Sequence, residues 1–465
     1  MPRTQRARPA DRAAALALAS LLAGAATSGQ AGVDWVWSGA VTSQAAVVKA
    51  RVPAGSTEAR LWLGATPTLE GARRILPAGD GRPAPDGLAT FLLEGLRPDT
   101  SYHYVVEVDG RRDEDHAGDF RTFPRGPASF RVAFGSCART GSNHRIFDTI
   151  RTLLPLFFLH MGDFHYENIP GDDRERFGRA FDEVLASPRQ AALYRSVPIA
   201  YVWDDHDYGS NDADGSSPSR PAALWAYDTH VPHYPFAGGS GGRARTIHQV
   251  FDVGRVRFLM IDVRAARDHV EMPDGPDKSL LGEEQRRWLL GELENAAARD
   301  GLLVWVNPVP WITRAARGSS HGWEPYGYER RLLADRIDSL GLTHRLLMLS
   351  GDAHMVAIDD GSHSNYAGGK EGGKGGFPVI HAAPLDRYPR PKGGPYSHGY
   401  VARKRLFGVL HEKQFGLLQL QDDGSTIRAR LSGHDSRGRQ LDGMRLDLVC
   451  DPGCRVVEQV LERAD

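Results

Sequence analysis

Residues 198–212 read PIAYVWDDHDYGSND, an apolar segment that runs directly into a cluster of acids and one histidine. Four titratable side chains are consecutive where the apolar segment ends: Asp204, Asp205, His206 and Asp207. Adjacent like charges repel, so such a cluster is expected either in a solvated loop or around a bound cation that cancels the repulsion. The rest of the sequence decides between these two interpretations.

The length of the chain indicates how many domains to expect, and its net charge indicates which classes of partner it attracts. With 465 residues it is long enough for two or three domains. Its 57 lysines and arginines against 58 acids give a net charge of -1, which provides no overall attraction for nucleic acid or an anionic membrane. We therefore expect no sequence-specific nucleic-acid partner, and a polyanionic ligand must be recognised locally. No sequence feature indicates the oligomeric state.

Residues 1–31 are typical of a signal peptide. Basic residues come first, at Arg3, Arg6, Arg8 and Arg12. An uncharged run rich in alanine and leucine follows, and small residues surround Ala31. This run is shorter than the ~20 residues of a membrane span, and no later segment is long enough to cross a bilayer. The prediction is a secreted or periplasmic protein; a disordered alanine-rich tail is the alternative, because Asp11 is unusual in a basic leader.

Residues 33–125 are predicted to form a small all-β domain. Alternating apolar residues at 102, 104, 106 and 108 are typical of a half-buried strand. Leu96, Pro98, Thr100 and Tyr102 resemble the turn and tyrosine corner of a fibronectin type III-like sandwich, and a length of about 90 residues suits such a domain. We assign this domain a structural role.

From residue 129 to 465 short apolar strands alternate with amphipathic helices, which is typical of an α/β domain. Several runs are apolar throughout, as strands buried on both faces are: FRVAF, LFFLHM, PIAYVW, VRFLMI, LLVWV, RLLMLS and FPVIHA. The stretch LLGEEQRRWLLGELENAAAR places Leu289 and Leu293 at helical spacing and predicts a core helix.

Polar side chains, most of them potential metal ligands, follow six of these strands. They are Cys137; Asp163, His165 and Tyr166; Asp204 to Asp207; Asp262 and Arg264; Asn307; and Asp352 with His354. Ligand sites in α/β sheets lie beyond the carboxyl ends of the strands, so we expect these groups at one rim. A thiolate, several carboxylates, an amide, an imidazole and a phenol exceed what one ion needs and suit two ions bridged by one carboxylate.

Each of these residues also has a structural interpretation when taken alone. An aspartate after a strand usually caps a helix. Cys137, Tyr166 and His354 are compatible with a buried thiol, a core ring and a helix-cap histidine. His206 alone is compatible with a surface position in an acidic turn. Their joint occurrence after successive strands favours a common site, and it favours the bound cation for residues 204–207.

Four motifs, GSC, GDFHY, WDDHDYGSND and GDAH, occur in this order and each follows a strand. With them the chain resembles the PhoD-like alkaline phosphatases of the calcineurin-like metallophosphatase superfamily, from about residue 130 to the C-terminus. The resemblance implies a four-layer α/β/β/α sandwich behind the small all-β domain, and a dinuclear centre of Fe³⁺ with a second ion, Ca²⁺ in the family. The chain departs from the family pattern at two places. Ser210 stands where relatives often carry tryptophan, and residues 1–31 lack the two adjacent arginines of a twin-arginine signal.

The resemblance implies a role for each motif residue. The iron would be surrounded by Cys137, Asp163, Tyr166 and His354. Asp163 would also reach the second ion, whose site would be completed by Asp205, Asn307 and Asp352. His206 would face the substrate without binding a metal, oriented by Asp207, and Asp204 would support the ligands. The substrate-binding candidates are Asn211, His165 and Arg264. For Arg264 and Arg267 we favour a structural pairing with nearby acids, which is common for an arginine after a strand.

The expected reaction is the hydrolysis of phosphomonoesters, phosphodiesters or both. Two cations ~3.5–4 Å apart neutralise an anionic ester and acidify a bridging water, and a histidine such as His206 can protonate the leaving oxygen. The substrate would be a small phosphate ester or a phosphodiester polymer of the cell envelope. The alternative is a noncatalytic extracellular binding protein with structural metals. Tyr166, Cys137 and a non-ligand His206 favour the enzyme, because a structural calcium site needs none of them.

Two further patterns concern cysteine and glycine. Cys450 and Cys454 flank a tight turn and can close a small disulfide loop, which leaves Cys137 as a thiol for a metal to occupy. Ser240 lies in a G-x-S-x-G pattern and residues 368–374 match G-x-x-x-x-G-K, but neither has a strand before it and a helix after it. We interpret both glycine-rich stretches as surface loops.

Overall fold

The computed structural model describes residues 32–238, 245–313, 322–403, 413–451 and 453–457. The predicted signal peptide and Ser240 lie outside the described residues. Within the described part of the chain, no helix is both long and apolar enough to cross a membrane.

The described strands are, in chain order, β1 (Trp35–Gly39), β2 (Ala46–Arg51), β3 (Ala59–Gly64), β4 (Arg73–Ile75), β5 (Leu88–Leu93), β6 (Ser101–Val108), β7 (Arg111–Arg112), β8 (Gly118–Arg121), β9 (Phe130–Gly135), β10 (Phe157–Met161), β11 (Ile199–Val202), β12 (Gln249–Val253), β13 (Val256–Met260), β14 (Leu302–Asn307), β15 (Leu346–Ser350), β16 (Val356–Asp359), β17 (Val379–Ala382), β18 (Tyr400–Val401), β19 (Gln414–Asp422), β20 (Ile427–Asp435), β21 (Gln440–Asp451) and β22 (Gly453–Val457).

The described α-helices are α1 (Ile146–Thr152), α2 (Arg174–Ala186), α3 (Pro188–Ser196), α4 (Asp205–Tyr208), α5 (Arg220–His230), α6 (Gly282–Ala297) and α7 (Gly327–Ser339). Short 3₁₀ helices cover Glu114–His116, Glu324–Tyr326, Leu342–His344 and Ala367–Gly369.

Two large sheets form the centre of the molecule. The first has ten strands in the order β22-β21-β20-β19-β9-β10-β11-β1-β2-β5, and the second has seven in the order β12-β13-β14-β15-β17-β16-β18. In the first sheet β9, β10 and β11 are parallel, and in the second β13, β14 and β15 are parallel. Strands β10, β11, β14 and β15 are buried at every residue, which explains their continuous apolar sequences.

The sheets pack face to face, with helices outside each. Phe157 of β10 contacts Phe251 of β12 and Phe258 of β13 edge-on, with ring centroids 5.5 and 5.3 Å apart. Residues of α1, α2, α3 and α5 belong to the same apolar core as the first sheet. Helices α6 and α7 cover the second sheet through a separate cluster that includes Leu289 and Leu333. The predicted four-layer α/β/β/α order is confirmed.

Residues 33–125 form a β-sandwich that is continuous with the first large sheet. Strands β3, β4, β6, β7 and β8 make a five-stranded sheet. Its partners β1, β2 and β5 extend the ten-stranded sheet, because β1 also pairs in parallel with β11 at Gly39 and Ile199. The hydroxyl of Tyr102 accepts a hydrogen bond from the N–H of Arg97 at 3.0 Å, as in a tyrosine corner.

The structure also places the cysteines and the second glycine-rich stretch. Cys450 and Cys454 form a disulfide at the turn between β21 and β22, and Cys137 is a buried free thiol. No strand directly precedes residues 368–374 and no helix directly follows them, in agreement with the predicted loop.

Hydrogen bonds join the carboxyl ends of strands from the two sheets. The indole N–H of Trp203, after β11, donates to the carboxylate of Asp262, after β13, at 2.8 Å. The hydroxyl of Ser136, after β9, accepts a bond from the N–H of Asp352, after β15, at 3.2 Å. These bonds place the predicted site residues of both sheets at one rim.

The ends of β10 and β11 approach each other closely at Gly162. This residue has a φ of +93°, and a Cβ added to it would lie 2.5 Å from the Cβ of Asp204. Only glycine combines this backbone conformation with so close a contact. Gly162 thereby allows Asp163 and Asp204 to lie next to each other.

We expect Gly162→Ala to lower the free energy of unfolding by about 1–3 kcal/mol, because the new methyl group strains the backbone and overlaps Asp204. Gly171→Ala is the matched control, since a Cβ at Gly171 meets nothing within 4 Å. Chemical denaturation of both variants measures the difference. Equal stabilities would contradict the close approach of the two strand ends.

Candidate metal centre

The ends of β9, β10, β11 and β15 bring potential ligands together around one carboxylate. Three groups of side chains have ligand atoms within 4.8 Å of one another. They are Cys137, Asp163 and His354; Asp163, Asp205 and His206; and Asp163, Asp204 and Asp352. Asp163 belongs to all three groups, so its carboxylate lies at their centre.

Tyr166 joins the first of these groups. Its hydroxyl donates to Oδ2 of Asp163 at 2.6 Å and lies 3.4 Å from Nε2 of His354. Nδ1 of His354 faces the carbonyl oxygen of Tyr388 at 2.7 Å, so Nδ1 carries the proton and the lone pair of Nε2 faces Tyr166. The structure therefore brings together all four residues predicted to surround an iron ion.

Four of the potential ligands have left-handed backbone conformations. The φ angle is +63° at Cys137, +55° at Asp163, +54° at Asp352 and +49° at His354. Residues other than glycine adopt this conformation at a cost, and such residues cluster at functional sites. The shared conformation marks the strand ends as a specialised part of the fold.

Asp204 and Arg264 form a buried ion pair beside Asp205. Nε of Arg264 donates to Oδ1 of Asp204 at 2.6 Å, and Nη2 lies 3.9 Å from Oδ1 of Asp205. The side chain of Arg264 is 0% exposed. The prediction that Arg264 binds substrate is therefore wrong in this structure, and the structural alternative holds because Arg264 neutralises carboxylates from within the fold.

Lys392 is a second cation among the carboxylates, and the sequence did not indicate it. Its ammonium group contacts Oδ1 of Asp352, and its side chain is 16% exposed. Burial is the largest influence and disfavours the charged form, but the charge and hydrogen bond of Asp352, together with the charge of Asp205, outweigh it and raise the pKa of Lys392 above its ordinary value. The lysine thus partly balances the negative charge of the site.

The carboxyl groups of the site have very different proton affinities. Burial, reinforced by the charge of Asp205, raises the pKa of Asp163 to about 8. Burial also raises the pKa of Asp204 well above its ordinary value. Burial acts in the same direction on Asp205, but the charges of Arg264 and His206 outweigh it and hold the pKa of Asp205 below its usual range. A cation that binds Asp163 at neutral pH therefore replaces a proton.

The donor set fits metal ions. Burial, followed by the charge of Asp163, raises the pKa values of the Cys137 thiol and the Tyr166 phenol, so both need a nearby cation to ionise. Among the described residues, the buried Oδ1 of Asp163 and Oδ2 of Asp204 have no hydrogen-bond partner. Buried acceptors without donors beside a thiol, a phenol and an imidazole are what a transition-metal site requires.

His206 is oriented by Asn168, a residue that the sequence did not single out. Nδ1 of His206 lies 2.7 Å from Oδ1 of Asn168. The other end of this amide, Nδ2, donates to the carbonyl oxygen of Tyr166 at 3.0 Å and so fixes which end faces the histidine. Nδ1 of His206 is therefore a donor, and Nε2 is the nitrogen left for the site. Burial lowers the pKa of His206.

The predicted pairing of Asp207 with His206 is wrong. The buried carboxylate of Asp207 accepts hydrogen bonds from the N–H groups of Asp204 and Phe164 and from the hydroxyl of Tyr201. Consecutive residues of a helix point in different directions, so residues 206 and 207 do not face the same space. Asp207 instead closes a capping box at the start of α4 and stabilises the segment that carries Asp205.

Asn307 is not brought to the carboxylates. Its side-chain amide donates to the sulfur of Met348 at 3.3 Å and accepts from the indole N–H of Trp323 at 3.2 Å. Both partners belong to the apolar cluster between the second sheet and its helices. The predicted role of Asn307 as a metal ligand is wrong for this arrangement, because both ends of its amide are engaged on the helix side of the sheet.

Of the two remaining substrate-binding candidates, His165 is buried and Asn211 is exposed. His165 is 0% exposed and packs edge-on against Phe177 and Phe181, and burial lowers its pKa to about 3. Its predicted contact with substrate is wrong, since it lies in the core behind the site. Asn211 is exposed and donates to Asp212 at 2.6 Å, so its role stays a prediction.

Comparison with known proteins relates this site to one family. The PhoD-like phosphatase family model matches residues 132–377, which is more than half of the chain and contains the six strand ends described above. The chain belongs to the PhoD-like phosphatase family.

Curated proteins also resemble parts of this chain. Alkaline phosphatase D of Bacillus subtilis is 25% identical over 310 residues, which cover 56% of this chain and 52% of that protein. An uncharacterized protein of Mycobacterium tuberculosis is 30% identical over 237 residues, which cover 46% of this chain and 40% of that protein. The chain thus spans about half the length of the curated relatives it matches. The solved structure of PhoD has a TM-score of 0.68 at 18% identity and covers 92% of each chain, which confirms the fold.

We expect metal binding to strengthen as the pH rises toward 8. Below its raised pKa the carboxyl of Asp163 holds a proton that a metal must displace, so affinity should fall by up to about tenfold per pH unit below 8. Calorimetric titration of metal-free protein with Ca²⁺, in buffers of different ionisation enthalpy from pH 6 to 9, measures the released protons. Asp163→Asn removes both the titrating group and the shared carboxylate, so it should bind Ca²⁺ more weakly and release fewer protons. Binding that releases no proton at pH 6 would contradict the buried, protonated Asp163.

Proposed function

We propose that the chain is a metal-dependent phosphoric ester hydrolase acting on phosphomonoesters, phosphodiesters or both. The observation that carries the proposal is that Asp163 belongs to all three groups of potential metal ligands, whose ligand atoms lie within 4.8 Å of one another in each group. One carboxylate shared between two ions is the arrangement with which metallophosphatases hold a dinuclear centre. Membership of the PhoD-like phosphatase family supports the same class of reaction.

The proposed centre contains Fe³⁺ and a second ion, Ca²⁺. Cys137, Tyr166 and His354 would hold the iron with Asp163, since a thiolate and a phenolate favour a trivalent ion. The second ion would lie between Asp163, Asp205 and Asp352, whose carboxylate oxygens suit Ca²⁺. When bound, the two ions supply the positive charge that neutralises a phosphate ester and acidify a water for attack on phosphorus.

The side chains around the ions perform the remaining tasks. His206, with Nδ1 donating to Asn168, presents Nε2 to the site, and in the imidazolium form Nε2 would donate its proton to the leaving oxygen. Arg264 holds Asp204 in place from inside the fold, and its charge favours the ionised form of Asp205. In this account His206 touches the substrate, and Asn168 acts only through His206.

The proposed substrates are small phosphate esters or a phosphodiester polymer of the cell envelope. This proposal rests on the pattern of residues 1–31, which is typical of an exported protein. Monoesters and diesters share the chemistry described above, so the site allows either class.

We expect His206→Ala to lower the turnover of an aryl phosphate by about 10²- to 10⁴-fold with both metals retained, because only proton donation is removed. Asn168→Ala should cause a smaller loss, up to about 100-fold, because the ring remains but is no longer oriented. Steady-state kinetics with monoester and diester aryl phosphates, together with metal analysis by mass spectrometry, measure both effects on the same samples.

His344→Ala is the matched control, because His344 is exposed and precedes β15 at the end opposite the site. Loss of metal from the His206 variant would make His206 a ligand instead of a proton donor. A wild-type protein that binds both metals but hydrolyses neither ester would favour the noncatalytic binding protein and overturn the proposed function.

A further inference from the structure

A loop anchored beside Cys137 brings residues from outside the four motifs into contact with the site. This 384–394 loop follows β17 and contains Arg387, Tyr388 and Lys392. At its start, the N–H of Leu385 donates to the carbonyl of Ser136 at 2.9 Å, and the N–H of Asp386 donates to the carbonyl of Cys137 at 3.1 Å. The backbone next to Arg387 is therefore fixed relative to the potential metal ligands.

The guanidinium of Arg387 lies against Tyr166. Its central carbon is 3.9 Å from the centroid of the Tyr166 ring, and that ring is 4.2 Å from the ring of His206. Arg387, Tyr166 and His206 are all partly exposed. The three side chains thus form a continuous wall that links the predicted iron ligand to the proposed proton donor.

The three cations around the site differ in what they contact. Arg264 is fully buried against Asp204, and the ammonium group of Lys392 contacts Asp352. For Arg387, by contrast, the described residues provide no carboxylate within salt-bridge distance, and its Nε is buried without a hydrogen-bond partner. A guanidinium that stacks on a ring keeps the N–H donors at its edge available for an anion.

A phosphate ester entering this site meets several carboxylates, which repel it. A cation that is already neutralised by a carboxylate does little to offset that repulsion, whereas an unneutralised guanidinium at the wall does. The planar fork of arginine also matches two oxygens of a phosphoryl group, which gives orientation as well as charge. Arg387 is the described side chain that combines partial exposure, positive charge and contact with Tyr166.

We propose that Arg387 binds a nonbridging phosphoryl oxygen of the substrate, the role for which Arg264 was a candidate. This inference rests on the proposed function, since it assumes a phosphate ester in the site. Monoesters and diesters both have nonbridging oxygens, so Arg387 should contribute to the binding of either.

A purely structural role for Arg387 is the competing explanation, in which it only supports the Tyr166 ring. Two substitutions separate the explanations. Arg387→Met and Arg387→Lys both remove the guanidinium plane from the ring and keep an unbranched stem, but only lysine keeps the positive charge. Arg390→Met is the matched control, because Arg390 is exposed on the same 384–394 loop.

The experiment measures the dissociation constant of inorganic phosphate by calorimetry on metal-loaded protein, and the KM and kcat for an aryl phosphate. We expect Arg387→Met to raise the phosphate dissociation constant and KM by about tenfold or more, with a smaller change in kcat, because a charge-assisted hydrogen bond to the anion is lost. Arg387→Lys should retain more of the affinity than Arg387→Met, and Arg390→Met should match the wild type.

Phosphate affinities of metal-loaded Arg387→Met and Arg387→Lys that both equal the wild-type affinity would overturn the proposal, because neither the charge nor the guanidinium would then contribute. Loss of metal from the methionine variant, with unchanged phosphate affinity per metal-loaded molecule, would also overturn it and assign Arg387 to the support of Tyr166. Phosphate binding requires no turnover, so failure of this inference is distinguishable from failure of the proposed function, which would appear as absent hydrolysis by the wild type.

Discussion

The structure is organised around the cost of burying several carboxylates in one small volume. Asp163, Asp204, Asp205 and Asp352 are each at most 3% exposed, and their oxygens converge on a common centre. Removing such groups from water is costly and their mutual repulsion adds to that cost, so opposite charge must accompany them. Arg264 and Lys392 provide part of this charge, and the pKa of Asp163 is raised by burial and by the neighbouring carboxylates in spite of them. Metal ions are the compensation that the donor set fits.

Much of the fold and part of the site could be predicted from the sequence, for a physical reason. Strands buried on both faces must be apolar throughout, so the residue at which each strand ends can be located in the sequence. The carboxyl ends of parallel strands then lie at one rim of the sheet. Cys137, Asp163, Asp205, Asp352 and His354 were found in this way and lie together. The β-sandwich was also visible, but its continuity with the large sheet was not, because a single pairing between β1 and β11 leaves no pattern.

The rest of the site depends on side-chain direction and on loops, which strand patterns do not encode. Asp207 lies in the correct motif but points into the capping box, while Asn168 occupies the predicted position beside His206. The φ of +49° at Asn168 is a conformation that asparagine tolerates, which is a weak signal available only in retrospect. Lys392 and Arg387 lie in a proline- and glycine-rich loop whose path over the site is set by tertiary contacts alone.

The most direct test of this account is anomalous diffraction from crystals of the metal-loaded protein, recorded above and below the iron absorption edge. We predict two peaks about 3.5–4 Å apart on either side of the Asp163 carboxylate, the one with iron-edge signal beside Cys137 and His354, and the other beside Asp205 and Asp352. A single peak, or two peaks that do not both contact Asp163, would contradict the shared carboxylate on which the account depends.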